Sequence, residues 1–126
     1  MDSDEVRVLV VDDVPDSADM LAIVLEMDGY MVRTVNSAEE ALRLIDEFSP
    51  LCALVDIHMP GIDGHELAQQ LRSRYGGDMV LVAVTGAGSI DDRISDSFSH
   101  FDHYLRKPVD LKLLRQLMPP LKGRTG

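Results

Sequence analysis

Three short apolar runs constrain this chain more than any other feature: "VRVLVV" at 6–11, "LCALV" at 51–55 and "MVLVAV" at 79–84. A strand with one face in water alternates polar and apolar residues, and these do not alternate. Both of their faces need cover, as in a parallel sheet lying between two layers of helices. Two further segments complete the set. "YMVRTV" at 30–35 has the mixed polarity of a strand nearer an edge, and "HYLR" at 103–106 is short.

Helical patterns fill the gaps. Pro15 suits a first helical turn, where its missing N–H is no loss. Met20, Leu21, Val24, Leu25 and Met27 follow at helical spacing, and Gly29 is placed to end that helix in a left-handed cap. "SAEEALRLIDEF" opens with Ser37 and has Glu40 three residues on, the pattern of a capping box; its apolar stripe is Ala41, Leu44, Ile45 and Phe48. A third helix is expected over about 65–75, with Leu67 and Leu71 inward and Asp63 as its cap. A fourth is expected over about 90–99, with Ile90, Ile94 and Phe98 as a core stripe and acidic residues 91, 92 and 96 as a solvated face. The last follows Asp110, with Leu113, Leu114 and Leu117 at helical spacing. Strand and helix alternate throughout, which predicts a single α/β domain joined by right-handed crossovers. Residues 5–120 are expected to form it, with 1–4 and 121–126 as flexible termini.

Composition excludes several functions. The chain has 126 residues and a net charge of −10, from 22 acidic and 12 basic residues. Such an acidic domain is repelled by a line of phosphates, so direct nucleic-acid binding is not expected. No apolar run approaches the roughly 18–20 residues that cross a membrane. The acidic "MDSDEVR" start lacks a signal-peptide pattern. Cys52 is the only cysteine, so no intramolecular disulfide and no cysteine metal site is available. A reducing, cytoplasmic setting is the expectation. Cys52 itself reads as a small buried hydrophobe, and His65, His100 and His103 read as surface histidines.

In an open parallel sheet, ligands bind beyond the carboxyl ends of the strands. The first strand runs into Asp12 and Asp13, the third into Asp56, the fourth into Thr85 and Gly86, and the fifth into Lys107 before Pro108. Three carboxylates in one place repel one another unless a cation compensates. Oxygen-only ligands suit a hard cation such as Mg²⁺, which shares its sites with phosphate. Lys107 supplies a point charge for an anion, and Thr85 and the Gly86 N–H supply hydrogen bonds. The set suits a phosphoryl group beside a divalent cation, with a carboxylate as the nucleophile that forms an aspartyl phosphate. Taken singly, Asp12 and Asp13 could merely cap a helix, Thr85 could belong to a turn, and Tyr104 could be a fixed core aromatic.

Four motifs, "VVDD", "LVDIHMPGIDG", "VAVTG" and "YLRKP", stand in this order at the expected strand ends. With them the chain resembles the CheY-like receiver domains of two-component response regulators. The resemblance covers about residues 6–117. It implies a flavodoxin-like fold with five parallel strands in the order 2-1-3-4-5 and helices on both faces. Asp56 matches the phospho-acceptor, Asp13 the acid that binds Mg²⁺ directly, and Asp12 the acid that acts through water. His58 matches the position whose backbone carbonyl completes the metal shell. Thr85 matches the switch hydroxyl, Lys107 the lysine that pairs with a phosphoryl oxygen, and Tyr104 the switch aromatic. The Lys107–Pro108 bond is expected to be cis.

The implied donor is a phosphohistidine on a histidine kinase or a histidine phosphotransfer protein, and the implied readout is a downstream protein partner. The segment "GSIDDR…FDHYLRKPVD" is more similar to receivers attached to hybrid histidine kinases than to those of transcription factors. Dimerisation on phosphorylation, through the segments at 90–99 and after Asp110, is left open by the sequence. The chain is expected to carry no output domain and to be no enzyme beyond accepting and shedding its own phosphoryl group. Relatives often carry Gly at position 100; His100 there would cost on the order of 1 kcal/mol if the backbone is left-handed. Ala87 and His58 stand where side chains flank an attacking water. Three rivals remain: an aspartate-nucleophile phosphohydrolase, which His58 leaves without its usual second acid; an unphosphorylated interaction module; and a flavin binder, for which "DDVPD" is a poor phosphate loop.

Overall fold

The computed structural model describes residues 6–57, 64–85 and 100–119. Five parallel strands form one sheet in the order β2-β1-β3-β4-β5. They are β1 (Arg7–Val11), β2 (Met31–Val35), β3 (Cys52–Asp56), β4 (Val80–Thr85) and β5 (His103–Arg106). Four helices are described: α1 (Pro15–Asp28), α2 (Ala38–Phe48), α3 (Gly64–Tyr75) and α4 (Leu111–Leu117). The helix expected at 90–99, the Asp63 cap, and positions 58, 86 and 87 lie outside the described residues, as do both chain ends.

The register explains the non-alternating runs. Val8 pairs with Cys52, and Leu9 with Ala53, so side chains of one parity line up across the sheet. Leu9, Val11, Ala53, Val55, Leu81 and Ala83 enter one core layer with α2 and α3. Val8, Val10, Cys52, Leu54, Val82 and Val84 enter the other with α1 and α4. Every residue of β3 is buried, as its central place requires.

Helix ends follow the local chemistry, with two adjustments. Gly29 closes α1 at φ 112°, and Ser37 Oγ accepts from the Glu40 N–H at 3.1 Å. The return bond of the capping box is displaced by one residue: Glu40 Oε1 accepts from the N–H of Asn36, at 2.8 Å, rather than from Ser37. The apolar positions of α1 divide between two faces. Leu21 and Leu25 are buried with Ala18 and Ala22, whereas Met20, Ile23 and Met27 face outward. In α4, Leu114 is buried and Leu113 is exposed.

The amino-terminal ends of β4 and β5 are tied by one arginine. Arg72 Nε donates to the His100 carbonyl at 2.9 Å. Its Nη1 donates to the carbonyls of Gly76 (2.8 Å) and Met79 (2.7 Å), and Nη2 to Asp102 Oδ2 (2.6 Å). That carboxylate also accepts from the Leu81 N–H at 2.8 Å. His100 carries no positive φ, since Ser49 is the only non-glycine residue with one among those described. The expected left-handed cost at His100 does not arise.

Candidate functional site

The carboxyl ends of β1, β3, β4 and β5 meet at one rim. Asp12 follows β1 and stays in register, its N–H donating to the Val35 carbonyl at 3.1 Å. Its Oδ1 accepts from the Val14 N–H at 2.9 Å, which turns the chain out of the sheet. Val14, extended at φ −101° and ψ 106°, is the N-cap of α1 and makes no side-chain cap bond. Helix capping is therefore not what the acid pair does: Asp12 serves the turn, and Asp13 is left pointing at the rim. Asp56 ends β3, and the next residue continues the ladder, Ile57 N–H to the Val84 carbonyl at 3.1 Å. Lys107 leaves β5 with its N–H on the Thr85 carbonyl at 2.7 Å, and its bond to Pro108 is cis.

The carboxylates of Asp12, Asp13 and Asp56 each offer an oxygen within 4.8 Å of the other two. Asp12 and Asp56 are 2% and 5% exposed. Among the described residues, the ammonium of Lys107 meets two of the three carboxylates: its Nζ stands 3.4 Å from Asp56 Oδ2 and 3.5 Å from Asp12 Oδ2. Burial of the ammonium works against its charge. The carboxylate of Asp56, then that of Asp12, outweighs this and holds the lysine above its ordinary value. Counted over these described side chains, the three carboxylates exceed the ammonium by two formal negative charges. The donor set is oxygen only, close-set and under-neutralised, which fits a hard divalent cation. Beside it, the Oγ1 of the fully buried Thr85 has no hydrogen-bond partner, alone in this among the buried side-chain polar atoms described.

The structure thus brings together Asp12, Asp13, Asp56 and Lys107, with Thr85 on the adjoining strand end. His58 lies outside the described residues. Tyr104 is 54% exposed on β5, an edge strand, so it is not a fixed core aromatic. His103 is exposed, and His100 and His65 are half-buried, the His65 ring edge-on to Phe101 at 6.2 Å between centroids. The thiol of Cys52 is pushed up to about 12 by burial, with the charge of Asp102 adding to it, so it stays protonated and inert. Between α1 and the turn after Lys107 lies a cleft of about 230 Å³, lined by Met20, Leu21, Val109 and Leu111.

Two residues at the site carry no charge and are missed by a search for titratable groups. Gly64 opens α3 against the end of β3. A Cβ there would lie 2.7 Å from the Asp56 carbonyl oxygen and 2.7 Å from Ile57 Cα, so only glycine fits. Asn36 follows β2, and its Nδ2 donates to the Asp12 carbonyl at 2.9 Å. The signal for it was available: in the order 2-1-3, whatever follows β2 sits beside whatever follows β1.

Comparison with known proteins agrees with this geometry. The family model described as response regulator receiver domain matches residues 8–118. An uncharacterized 14.6 kDa protein of Leptolyngbya boryana is 38% identical over 113 residues, which are 88% of this chain and 86% of that one. Response regulator MprA of Mycolicibacterium vanbaalenii is 37% identical over 120 residues, 95% of this chain but 52% of its own length. The chain therefore spans about half the length of that relative. A CheY-like receiver domain protein from Methanospirillum hungatei superposes with a TM-score of 0.81 at 31% identity, covering 90% of each chain. Response regulator TrrA of Thermotoga maritima, solved in complex with Mg²⁺-BeF, gives 0.76 at 30% identity, covering 90% of this chain and 99% of its own.

Proposed function

This chain belongs to the response regulator receiver domain family, and from that premise we propose that Asp56 is its phospho-acceptor, in a switch operated by phosphorylation. The observation that carries this reading is the meeting of three carboxylates at one rim, two of them reached by the ammonium of Lys107. Asp13, Asp56 and the backbone carbonyl at His58 would hold Mg²⁺, with Asp12 acting through water. A bound Mg²⁺ would neutralise charge between these carboxylates and the incoming phosphoryl oxygens. The solved Mg²⁺-BeF complex of the Thermotoga relative supports the choice of metal.

The donor is a phosphohistidine on a histidine kinase or a phosphotransfer protein. An oxygen of Asp56 attacks phosphorus in line; the P–O bond forms as the P–N bond breaks, and the leaving imidazole takes up a proton. Lys107 exchanges its contact with Asp56 for a phosphoryl oxygen. The Thr85 hydroxyl, unpartnered at rest, donates to another. Its movement draws on Tyr104 and alters the outer face of β5, which a downstream protein partner reads. The chain acts once per phosphoryl group and turns over no small substrate. A cytoplasmic setting suits these partners, and no described helix is long and apolar enough to cross a membrane.

Intact mass after incubation with acetyl phosphate, with and without Mg²⁺, tests the reading. One phosphoryl group is expected on the wild type with Mg²⁺ and none on Asp56→Asn. An adduct on Asp56→Asn overturns the assignment. Beryllofluoride binding separates a short-lived phosphate from a silent site. Release of phosphate from p-nitrophenyl phosphate over many turnovers would favour the phosphohydrolase instead.

A further inference from the structure

We propose that Asn36 is a positioning residue that holds the Asp12–Asp13 peptide in the orientation that presents Asp13 to a metal ion. The inference rests on the metal reading given above. Asp13 is a ligand whose direction is set by the backbone on either side of it, and three hydrogen bonds fix that backbone. The Asp12 N–H donates to the Val35 carbonyl at 3.1 Å, and this bond is part of the sheet. The Asp12 carboxylate accepts from Val14 at 2.9 Å, within the turn itself. The third bond alone comes from a side chain of another element: Asn36 Nδ2 to the Asp12 carbonyl, at 2.9 Å. It restrains the peptide that joins Asp12 to Asp13.

The arm that makes this bond is held at its root. The Asn36 N–H donates to Glu40 Oε1 at 2.8 Å, and Glu40 is fixed in turn by its own N–H on Ser37 Oγ. The first turn of α2 thus braces Asn36, and Asn36 braces the acid pair across the sheet. An amide suits the task because it donates without adding a charge beside three carboxylates. Partners behind metal ligands commonly set affinity by 10- to 100-fold. Asn36 is solvent-exposed and water competes for the same carbonyl, so the effect belongs at the lower end of that range.

The test is a Mg²⁺ titration of the full chain, followed by the amide NMR signals of Asp13 and Val14, on wild type, Asn36→Ala and Ser37→Ala. Asn36→Ala is expected to weaken Mg²⁺ binding about tenfold. It should also speed hydrogen exchange at those two amides in the metal-free protein. Ser37→Ala removes the cap of α2 and loosens the brace on Asn36, yet it leaves the Asn36 amide in place, so its affinity should fall by clearly less than that of Asn36→Ala. Unchanged affinity in Asn36→Ala overturns the proposal, and so does an equal loss in Ser37→Ala, which would assign the effect to the helix cap. A wild type that ignores Mg²⁺ overturns the metal reading itself; exchange at the metal-free amides then still shows whether Asn36 holds the peptide.

Discussion

The two ends of the sheet treat polar groups in opposite ways. At the amino-terminal end, the Arg72 guanidinium meets three carbonyls and a carboxylate, and that carboxylate takes a strand N–H as well. At the carboxyl-terminal end, three carboxylates crowd together, the ammonium of Lys107 reaches two of them at 3.4–3.5 Å, and a buried hydroxyl has no partner. Both ends are built from the same strands and the same core layers, so packing does not explain the contrast. Satisfied polar groups rigidify a fold. Unsatisfied ones cost stability and persist where a ligand completes them. The amino end reads as the anchor and the carboxyl end as the receptor.

The contrast is broken most directly at Arg72. Arg72→Ala leaves three carbonyls without their donor, for a loss on the order of 3 kcal/mol in urea unfolding. The Asp102 side chain is 43% exposed, so the ion pair itself adds little to that figure. Phosphorylation should survive under conditions where the variant is folded. A loss of phosphorylation out of proportion to stability would mean that the two ends are not separable. Gly64→Ala comes next. Its methyl group meets backbone on both near sides, and the overpacking costs about 2 kcal/mol. Because the atoms displaced are those of Asp56 and Ile57, this variant should also accept phosphate more slowly, joining the two effects that Arg72→Ala keeps apart.

The receptor end was more legible in the sequence than the anchor. A strand that runs into adjacent carboxylates is conspicuous, because burial and charge conflict there: Asp12, Asp13, Asp56 and Lys107 declare themselves by type. Arg72 does not, since it looks like any basic residue in the last turn of a helix, and its partners are backbone carbonyls that have no letter in the sequence. Asn36 also bonds a backbone carbonyl, and only its place after β2, beside the strand that carries the acid pair, marks it. The outward methionines of α1 defeat a periodicity argument, because Met20 and Ile23 are as apolar as the buried Leu21 and Leu25 beside them. At His100, the sequence poses a strain that the structure avoids by keeping φ negative; its carbonyl instead becomes a ligand of Arg72.

The receptor end is sharpened by removing charge. Asp13→Asn relieves repulsion within the acid cluster, so the metal-free variant should be as stable as wild type or up to about 1 kcal/mol more stable. Wild type should gain about 1.4 kcal/mol at a Mg²⁺ concentration of ten times its Kd, and the variant should gain almost nothing. Calorimetry with and without Mg²⁺ checks both. Lys107 adds a pH signature of definite sign. Its folded pKa is raised, so its contribution is fully present below lysine's unfolded value and is lost as pH rises through the folded one. Alkaline unfolding should therefore be shallower in Lys107→Met than in wild type above about pH 10.4, and equal slopes would mean that the carboxylates do not hold the ammonium in the folded state.

The smallest expected change isolates one atom. Thr85 is fully buried, its backbone is in the ladder, and its Oγ1 finds no acceptor or donor. Thr85→Val keeps the branched shape that β4 needs and removes only the hydroxyl. At most core positions that swap is unfavourable, because a buried hydroxyl usually has a partner to abandon. Here there is none in the resting protein, and the variant should be more stable by about 1 kcal/mol. The same substitution should weaken beryllofluoride binding, since the hydroxyl would find its acceptor in the bound anion. Opposite signs in the two measurements are the mark of a group kept for its ligand rather than for the fold. Destabilisation by Thr85→Val would show instead that the hydroxyl is already satisfied at rest, and the contrast between the two ends of the sheet would lose its clearest term.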